Sequence, residues 1–292
     1  MRVAIFGKKF EKAFNDKCLS IFDMLSERNI EVVIYRPFFD FLSHEVGITP
    51  KTAEFFDSHL NLPDCDLFFS IGGDGTFLDA VTMVKDRNIP MVGINTGRLG
   101  FLADISMDEL SGSLQKIFER NYSVRKAELL HLETKHPYFG DMNFALNELA
   151  IHKRDSSSMI TIHAYLNEQF LNSYWADGLI ISTPIGSTAY SLSVGGPILH
   201  PSCHEFVISP IAPHNLTVRP LVVPNDVKLK LRIEGRGGKF MASLDSRSQV
   251  IDNEVELHIS KANFTISIVD IIGQSFYSTL RSKLMWGADR RN

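Results

Sequence analysis

Along the first ~120 residues, short apolar runs alternate with longer stretches in which apolar positions recur every three or four residues. The runs are residues 3–6, 32–35, 67–71 and 91–94, and the helical spacing falls on 10–28, 52–59 and 77–87. Unbroken apolar runs suit strands covered on both faces by their connecting helices, so this order predicts a Rossmann-like parallel α/β domain. Ser106-Met107-Asp108-Glu109 predicts one more helix, because a hydroxyl and a carboxylate three residues apart satisfy the free amides of a first turn.

After Tyr122 the period changes to two. Val227-Lys228-Leu229-Lys230-Leu231-Arg232-Ile233 alternates apolar and charged positions, and Gly235-Arg236-Gly237-Gly238 predicts a hairpin into residues 239–244. Residues 160–166 and 169–174 flank an Asn167-Glu168 turn, and 255–259 with 264–269 read as a third pair. The pattern predicts an α/β domain over residues 1–122 and a mostly antiparallel β-sandwich over 123–274. A tail over 275–292 is expected to pack back on the first domain, with a short helix over 278–286. No low-complexity linker parts the two halves, so a ligand cleft between them is expected.

Composition narrows the function classes. The 292 residues are 44% hydrophobic and 22% charged with a net charge of −4, which offers no electrostatic footprint for nucleic acid or a membrane surface. An anionic substrate would need a local site of backbone amides, a few cations or a metal. Cys18, Cys65 and Cys203 lie far apart without metal-ligand spacing, the histidines are scattered, and no run approaches the ~18 apolar residues of a membrane span. These features predict a soluble, reduced, cytoplasmic protein.

Gly72-Gly73-Asp74-Gly75-Thr76 ends one predicted strand and opens a helix, where open α/β sheets bind ligands. Gly72, Gly73 and Gly75 bring backbone amides close to a phosphate, the helix start adds partial positive charge, and Thr76 with Asp79 suits an N-cap pair. Asp74 would repel that phosphate unless it orients and deprotonates an attacking hydroxyl or holds a metal. The alternative is a tight turn in which Asp74 caps local amides. Neither the P-loop pattern nor G-x-G-x-x-G occurs here. A second motif runs from Asp177-Gly178 through Thr183-Pro184-Ile185-Gly186-Ser187-Thr188-Ala189-Tyr190-Ser191-Leu192-Ser193 to Pro197. It sets a strand, a turn and a small-residue helix around one aromatic ring.

Taken with Asn147-Glu148 and Asn95-Thr96-Gly97-Arg98-Leu99-Gly100-Phe101, these motifs resemble, in order and spacing, those of the NAD kinase family over nearly the whole chain. The resemblance implies transfer of the terminal phosphoryl group of ATP to the adenosine 2′-hydroxyl of NAD, giving NADP and ADP. It implies that Asp74 accepts the hydroxyl proton and that Gly75 contacts the ligand through its backbone. Asn147 and Glu148 would bind the adenosine and its ribose, with Glu148 also helping to place a metal. Thr188, Ala189, Tyr190, Ser191, Leu192 and Ser193 would cradle the adenine with Phe101 packed on it. Arg98 would face phosphates, Asp177 the positive nicotinamide ring, and Ala212 the dinucleotide through its backbone. A divalent cation, Mg²⁺ or Mn²⁺, and a homodimer or homotetramer are implied as well. Two positions depart from the family: Ile185 stands where threonine is common, and Trp175 stands where relatives carry a basic or small residue. An indole at Trp175 would stack on the nicotinamide or shield it.

Overall fold

The N-terminal apolar runs are strands covered on both faces. In the computed structural model, which describes residues 1–97, 100–154, 159–273 and 275–285, the first elements alternate. They are β1 (Arg2–Gly7), α1 (Asn15–Glu27), β2 (Glu31–Tyr35), α2 (Arg36–Phe41), β3 (Glu54–Phe56), β4 (Leu67–Gly72), α3 (Asp74–Val84), β5 (Met91–Asn95) and α4 (Leu110–Phe118). Every residue of β4 and β5 is buried. The strands pair in parallel in the order β5-β4-β1-β2-β3. Chain order reverses at β1, so the carboxyl ends of β1 and β4 flank a topological switch point, the position where such sheets leave a crevice. Phe14, Ile21 and Leu25, together with Leu114 and Ile117, pack on Val3, Ile5, Phe69 and Ile71.

Three local expectations change here. Residues 52–59 are not a helix, because Glu54–Phe56 pairs with Val33, Ile34 and Tyr35 at the sheet edge. The helix after the glycine turn starts at Asp74 and ends at Val84, with Gly73 at its N-cap and no capping side chain, so Thr76 is a buried first-turn residue rather than a cap. Ser106 and Glu109 do approach each other (Oγ to Oε2, 3.4 Å), but they form a turn before α4, which begins at Leu110.

The chain divides into two units, residues 1–126 with 266–292, and residues 127–265. The second unit is built from β6 (Tyr122–Glu133), which enters it, then β7 (Phe144–Ala145), β8 (Glu148–Lys153), β9 (Ile160–Leu166), β10 (Gln169–Ala176) and β11 (Gly178–Ser182). It continues with α5 (Tyr190–Ser193), β12 (Glu205–Ile211), β13 (Leu221–Pro224), β14 (Leu229–Glu234), β15 (Lys239–Leu244), β16 (Arg247–Asp252) and most of β17 (Leu257–Ile271). One sheet has the order β10-β9-β14-β17 and the other β13-β12-β11-β8-β15-β16. Inward residues of both, among them Ile162, Leu231 and Leu257 from the first and Ile151, Ile181, Ile208 and Phe240 from the second, form one core. The last residues of β17 belong to the first unit, where Ile268 pairs with Met91 of β5.

The β9–β10 hairpin forms about Asn167-Glu168 as expected. The hairpin expected at Gly235–Gly238 does not: β14 pairs with β9 and β17, whereas β15 pairs with β8 and β16. Leu229, Leu231 and Ile233 face the same core as Phe240, Ala242 and Leu244, but from opposite sheets. Alternation shows which face is buried and is blind to which sheet carries it. Residues 255–269, expected as two strands, lie mostly within the single strand β17, since Ser260-Lys261-Ala262-Asn263 contains no glycine or proline to turn the chain. The C-terminal helix is α6 (Phe276–Leu284), capped by Ser275; Trp286 lies outside the described residues. Among the described residues no helix is long and apolar enough to cross a membrane.

Candidate active site

In the first unit, β4 delivers Gly72 and Gly73 to the sheet's carboxyl edge, where Gly73 and Gly75 are exposed and Thr76 is buried. The Asp74 side chain turns towards the loop after β5. Its Oδ2 accepts the Phe101 amide at 2.8 Å, and its Oδ1 accepts the Leu102 and Ala103 amides, both at 2.9 Å. Lys283 of α6 lies 3.7 Å from Oδ2 and 4.2 Å from the centre of the Phe101 ring. Asp74 therefore does cap amides, but not the local ones of a tight turn: they come from a loop 27–29 residues further on. A Cβ at Gly100 would stand 1.8 Å from Asp74 Oδ1, so only glycine admits this seat. Charge-assisted hydrogen bonds of this kind are worth about 1.5–3 kcal/mol each, which fixes both the loop and the carboxylate. The Asp74 side chain remains 35% exposed, enough to meet a ligand.

Two charged groups here carried no signal in the sequence. Burial lowers the Lys283 ammonium, opposed by the neighbouring Asp74. Burial pushes the Asp104 carboxyl up to about 7, aided by the negative charges of Asp270 and Asp74. Arg98 lies outside the described residues.

In the second unit, Glu148, Ala150 and His152 alternate outwards along β8 while Leu149 and Ile151 enter the core. The segment after β11 folds back over that outer face. The Thr183 hydroxyl donates to the Leu146 carbonyl at 2.5 Å, the Thr183 amide donates to the Asn147 carbonyl at 2.9 Å, and the Gly186 amide donates to the Thr183 hydroxyl at 3.2 Å. A Cβ at Gly186 would lie 2.1 Å from the Asn147 carbonyl oxygen, so the crossing requires glycine. Ser187 and Thr188 spend their hydroxyls on Pro184 and Ile185 carbonyls. Ala189 leads into α5, where Ser191 meets Ser209 of β12 at 3.1 Å and the Tyr190 ring stacks on His152 at 5.7 Å and 17°. Leu192 and Ser193 complete the turn, and Tyr190 stays 36% exposed.

Asn147 and Glu148 hold the unusual electrostatics. Asn147 Oδ1 and Glu148 Oε2 are buried without a hydrogen-bond partner. Burial, reinforced by the Asp245 carboxylate, pushes Glu148 up to about 8, against the pull of the Tyr190 amide. Such orphaned buried acceptors are costly, and a ligand is one source of the missing partner.

A second group gathers at the other end of β11. Asp177 pairs with Lys153 at 2.6 Å and its amide donates to the Ile211 carbonyl at 3.0 Å. Trp175, 50% exposed, lies 4.5 Å from the His214 ring, whose amide donates to the Trp175 carbonyl at 2.9 Å. Ala212 adopts φ 44°, a strained value for alanine. Across the β8–β11 pair Ser182 stands opposite Glu148 and Gly178 opposite His152. Glu148 therefore lies roughly 13 Å along the strand from the Asp177 end at ~3.3 Å per residue, and the Tyr190 ring, stacked on His152, lies towards that end.

Residues 5–122 match the ATP-NAD kinase N-terminal domain, and residues 146–271 match the ATP-NAD kinase C-terminal domain. The chain belongs to the NAD kinase family. It is 45% identical over 292 residues to an NAD kinase of Cytophaga hutchinsonii and 45% identical over 295 residues to one of Flavobacterium psychrophilum, with both chains covered in full each time. Among solved structures, an NAD kinase from Archaeoglobus fulgidus in complex with ATP aligns with a TM-score of 0.75 at 26% identity, over 97% of this chain and 99% of that one. Yeast NADH kinase complexed with NADH shares the fold, with a TM-score of 0.86 at 22% identity over 99% and 89% of the two chains. The family's α/β and antiparallel halves correspond to the two kinds of sheet described above.

Proposed function

We propose that this chain transfers the terminal phosphoryl group of ATP to the 2′-hydroxyl of the adenosine ribose of NAD, forming NADP and ADP. The observation that carries this reading is the pair of orphaned buried oxygens on Asn147 and Glu148, with the Tyr190 amide on the Glu148 carboxyl and the exposed Tyr190 ring further along the same face of β8, over His152. A nucleoside supplies what they lack: hydroxyl and amine donors for the two oxygens and an aromatic face for the ring. The Trp175–Asp177–Ala212 group, at the other end of β11 from Glu148, suits the far end of an extended dinucleotide, where a carboxylate meets a cationic ring. ATP is the donor bound by the Archaeoglobus fulgidus relative. Its phosphates suit Gly72, Gly73, Gly75 and Thr76, at the start of α3.

Asp74 is the proton acceptor. Held by three amides, its carboxylate presents Oδ2 in a fixed direction, which orients the hydroxyl and takes its proton late in a loose transition state. Among the described residues no three His, Cys, Asp or Glu converge to hold a metal. Mg²⁺ or Mn²⁺ is expected to arrive with the nucleotide, held by its phosphates and water with at most one or two protein carboxylates. A homodimer or homotetramer is expected. It is supported by β10 and β13, edge strands that expose Phe170, Trp175, Leu221 and Val222, and light scattering on the pure protein checks it.

The test is incubation with ATP, Mg²⁺ and either NAD or NADH, with product read by a dehydrogenase strict for NADP or NADPH. No phosphorylated dinucleotide from either substrate would sink the proposal. Asp74→Asn is expected to lower turnover by roughly two to four decades while leaving NAD affinity within a few-fold. Equal loss of binding and turnover would remove Asp74 from the proton-accepting role.

A further inference from the structure

The tripeptide Leu146-Asn147-Glu148 is held from a direction the motifs do not show. β15 and β16 are joined by Asp245-Ser246, and Asp245 takes a left-handed φ of 52°. The turn aims the Asp245 carboxylate at three consecutive amides: Leu146 donates to Oδ2 at 2.9 Å, and Asn147 and Glu148 donate to Oδ1 at 2.8 and 3.2 Å. The Asp245 amide returns a bond to the Glu148 carbonyl at 3.0 Å. Arg247, two residues on, donates to the carbonyls of Met142 and Phe144, with its guanidinium 5.3 Å from the Phe144 ring and 3.8 Å from Asp245 Oδ2. One turn thus grips the segment 142–148 through amides and carbonyls together, while Thr183 takes the carbonyls of Leu146 and Asn147 as hydrogen-bond acceptors.

Even with Arg247 beside it, a carboxylate with a 3% exposed side chain is costly to bury, and a neutral residue would avoid that cost. What the acid achieves is the alignment of three successive N–H groups on one anion, which leaves the backbone of 146–148 no freedom to rotate.

We propose that Asp245 is a positioning residue for the nucleoside site: its carboxylate fixes the backbone from which Asn147 and Glu148 extend, so that their two unpartnered oxygens meet the substrate without reorganisation. This rests on the reading of Asn147 and Glu148 as nucleoside ligands. Preorganisation of this kind appears in substrate binding, since a loosened pair must be ordered at the expense of affinity.

The charge has a second effect. The groups facing Glu148 are the Asp245 carboxylate from the β15–β16 turn and the Tyr190 amide from α5, while Arg247 faces Asp245 itself. Asp245 helps keep the Glu148 proton in place; a neutral residue of the same shape would release it at lower pH.

Asp245→Asn, in the full chain, keeps the shape, removes the charge and turns one acceptor into a donor facing an amide. Expected are a KM for NAD raised about tenfold or more, a KM for ATP within about twofold and kcat changed less than about threefold. The inflection that Glu148 imposes on kcat/KM for NAD is expected to move to lower pH. A folded variant with unchanged KM for NAD, or an inflection at the wild-type pH, would overturn the proposal, and a lowered melting temperature alone would mark a merely structural role. If the variant does not fold, hydrogen exchange on the wild-type chain decides: the amides of residues 146–148 should exchange as slowly as those in the middle of β8, and exchange at exposed-turn rates refutes the clamp. Absence of any NADP from the wild-type enzyme would instead refute the functional reading, leaving the exchange measurement to judge the clamp.

Discussion

Glu148 sits in the folded chain with its carboxyl pushed from an ordinary 4.5 up to about 8. Between those two values the unfolded chain releases the proton that the folded chain retains. Folding stability from this group is therefore greatest at low pH and falls as pH rises through the window. Glu148→Gln removes the titration, so its melting temperature relative to wild type should rise between about pH 5 and about pH 8.5; a constant difference would contradict the buried, protonated acid. The same residue was legible in the sequence as half of an Asn-Glu pair, but its burial was not, since that comes from β11, α5 and the Asp245 turn packed around it. Asp74 shows the converse. Its place in a glycine turn marks it as chemically charged, while its amide partners lie beyond an intervening helix and strand.

At the scale of elements, the stretch from Thr183 to Ser193 is the most telling in the sequence, and its glycine explains why. Gly186 crosses the Asn147 carbonyl so closely that a Cβ would come within 2.1 Å of the oxygen. Backbone cannot yield as a flexible side chain can, so Gly186→Ala must displace residue 147 or the turn. The expected result is a KM for NAD raised about tenfold with a lowered melting temperature and an unaltered KM for ATP, measured by steady-state kinetics and thermal unfolding. A shift in the ATP constant alone would contradict this placement. The hairpin that failed to form at Gly235–Gly238 belongs to the same scale. Both flanking strands were recognised, yet two strands sharing a core face look alike whether they lie side by side or in facing sheets.

For the whole molecule, the decisive feature is that the first unit is assembled from both ends of the chain, residues 1–126 and 266–292. That arrangement brings Lys283 of the last helix to 3.7 Å from Asp74, although 209 positions separate them in the sequence. On the proposed reading, the ammonium would offset the charge that gathers as phosphate and the Asp74 carboxylate approach each other. Lys283→Met, which preserves the length of the side chain, is expected to lower kcat by about tenfold or more with little change in the KM for NAD. A wild-type kcat in that variant would assign Lys283 to packing on Phe101 alone.

The sequence by itself determined the two kinds of sheet, the strand that carries the glycine turn, and the short motifs that bear Asp74, Asn147, Glu148 and Tyr190. These are local properties, set by hydrophobic period and by glycine placed where backbone must come close. Only the tertiary structure decided which amides hold Asp74, that Lys283 attends it, that Asp245 and Arg247 grip the Asn-Glu backbone, and which strands share a sheet. Each of those depends on contacts between residues far apart in the chain, and a pattern with a period of two or 3.6 residues carries no information about such distances.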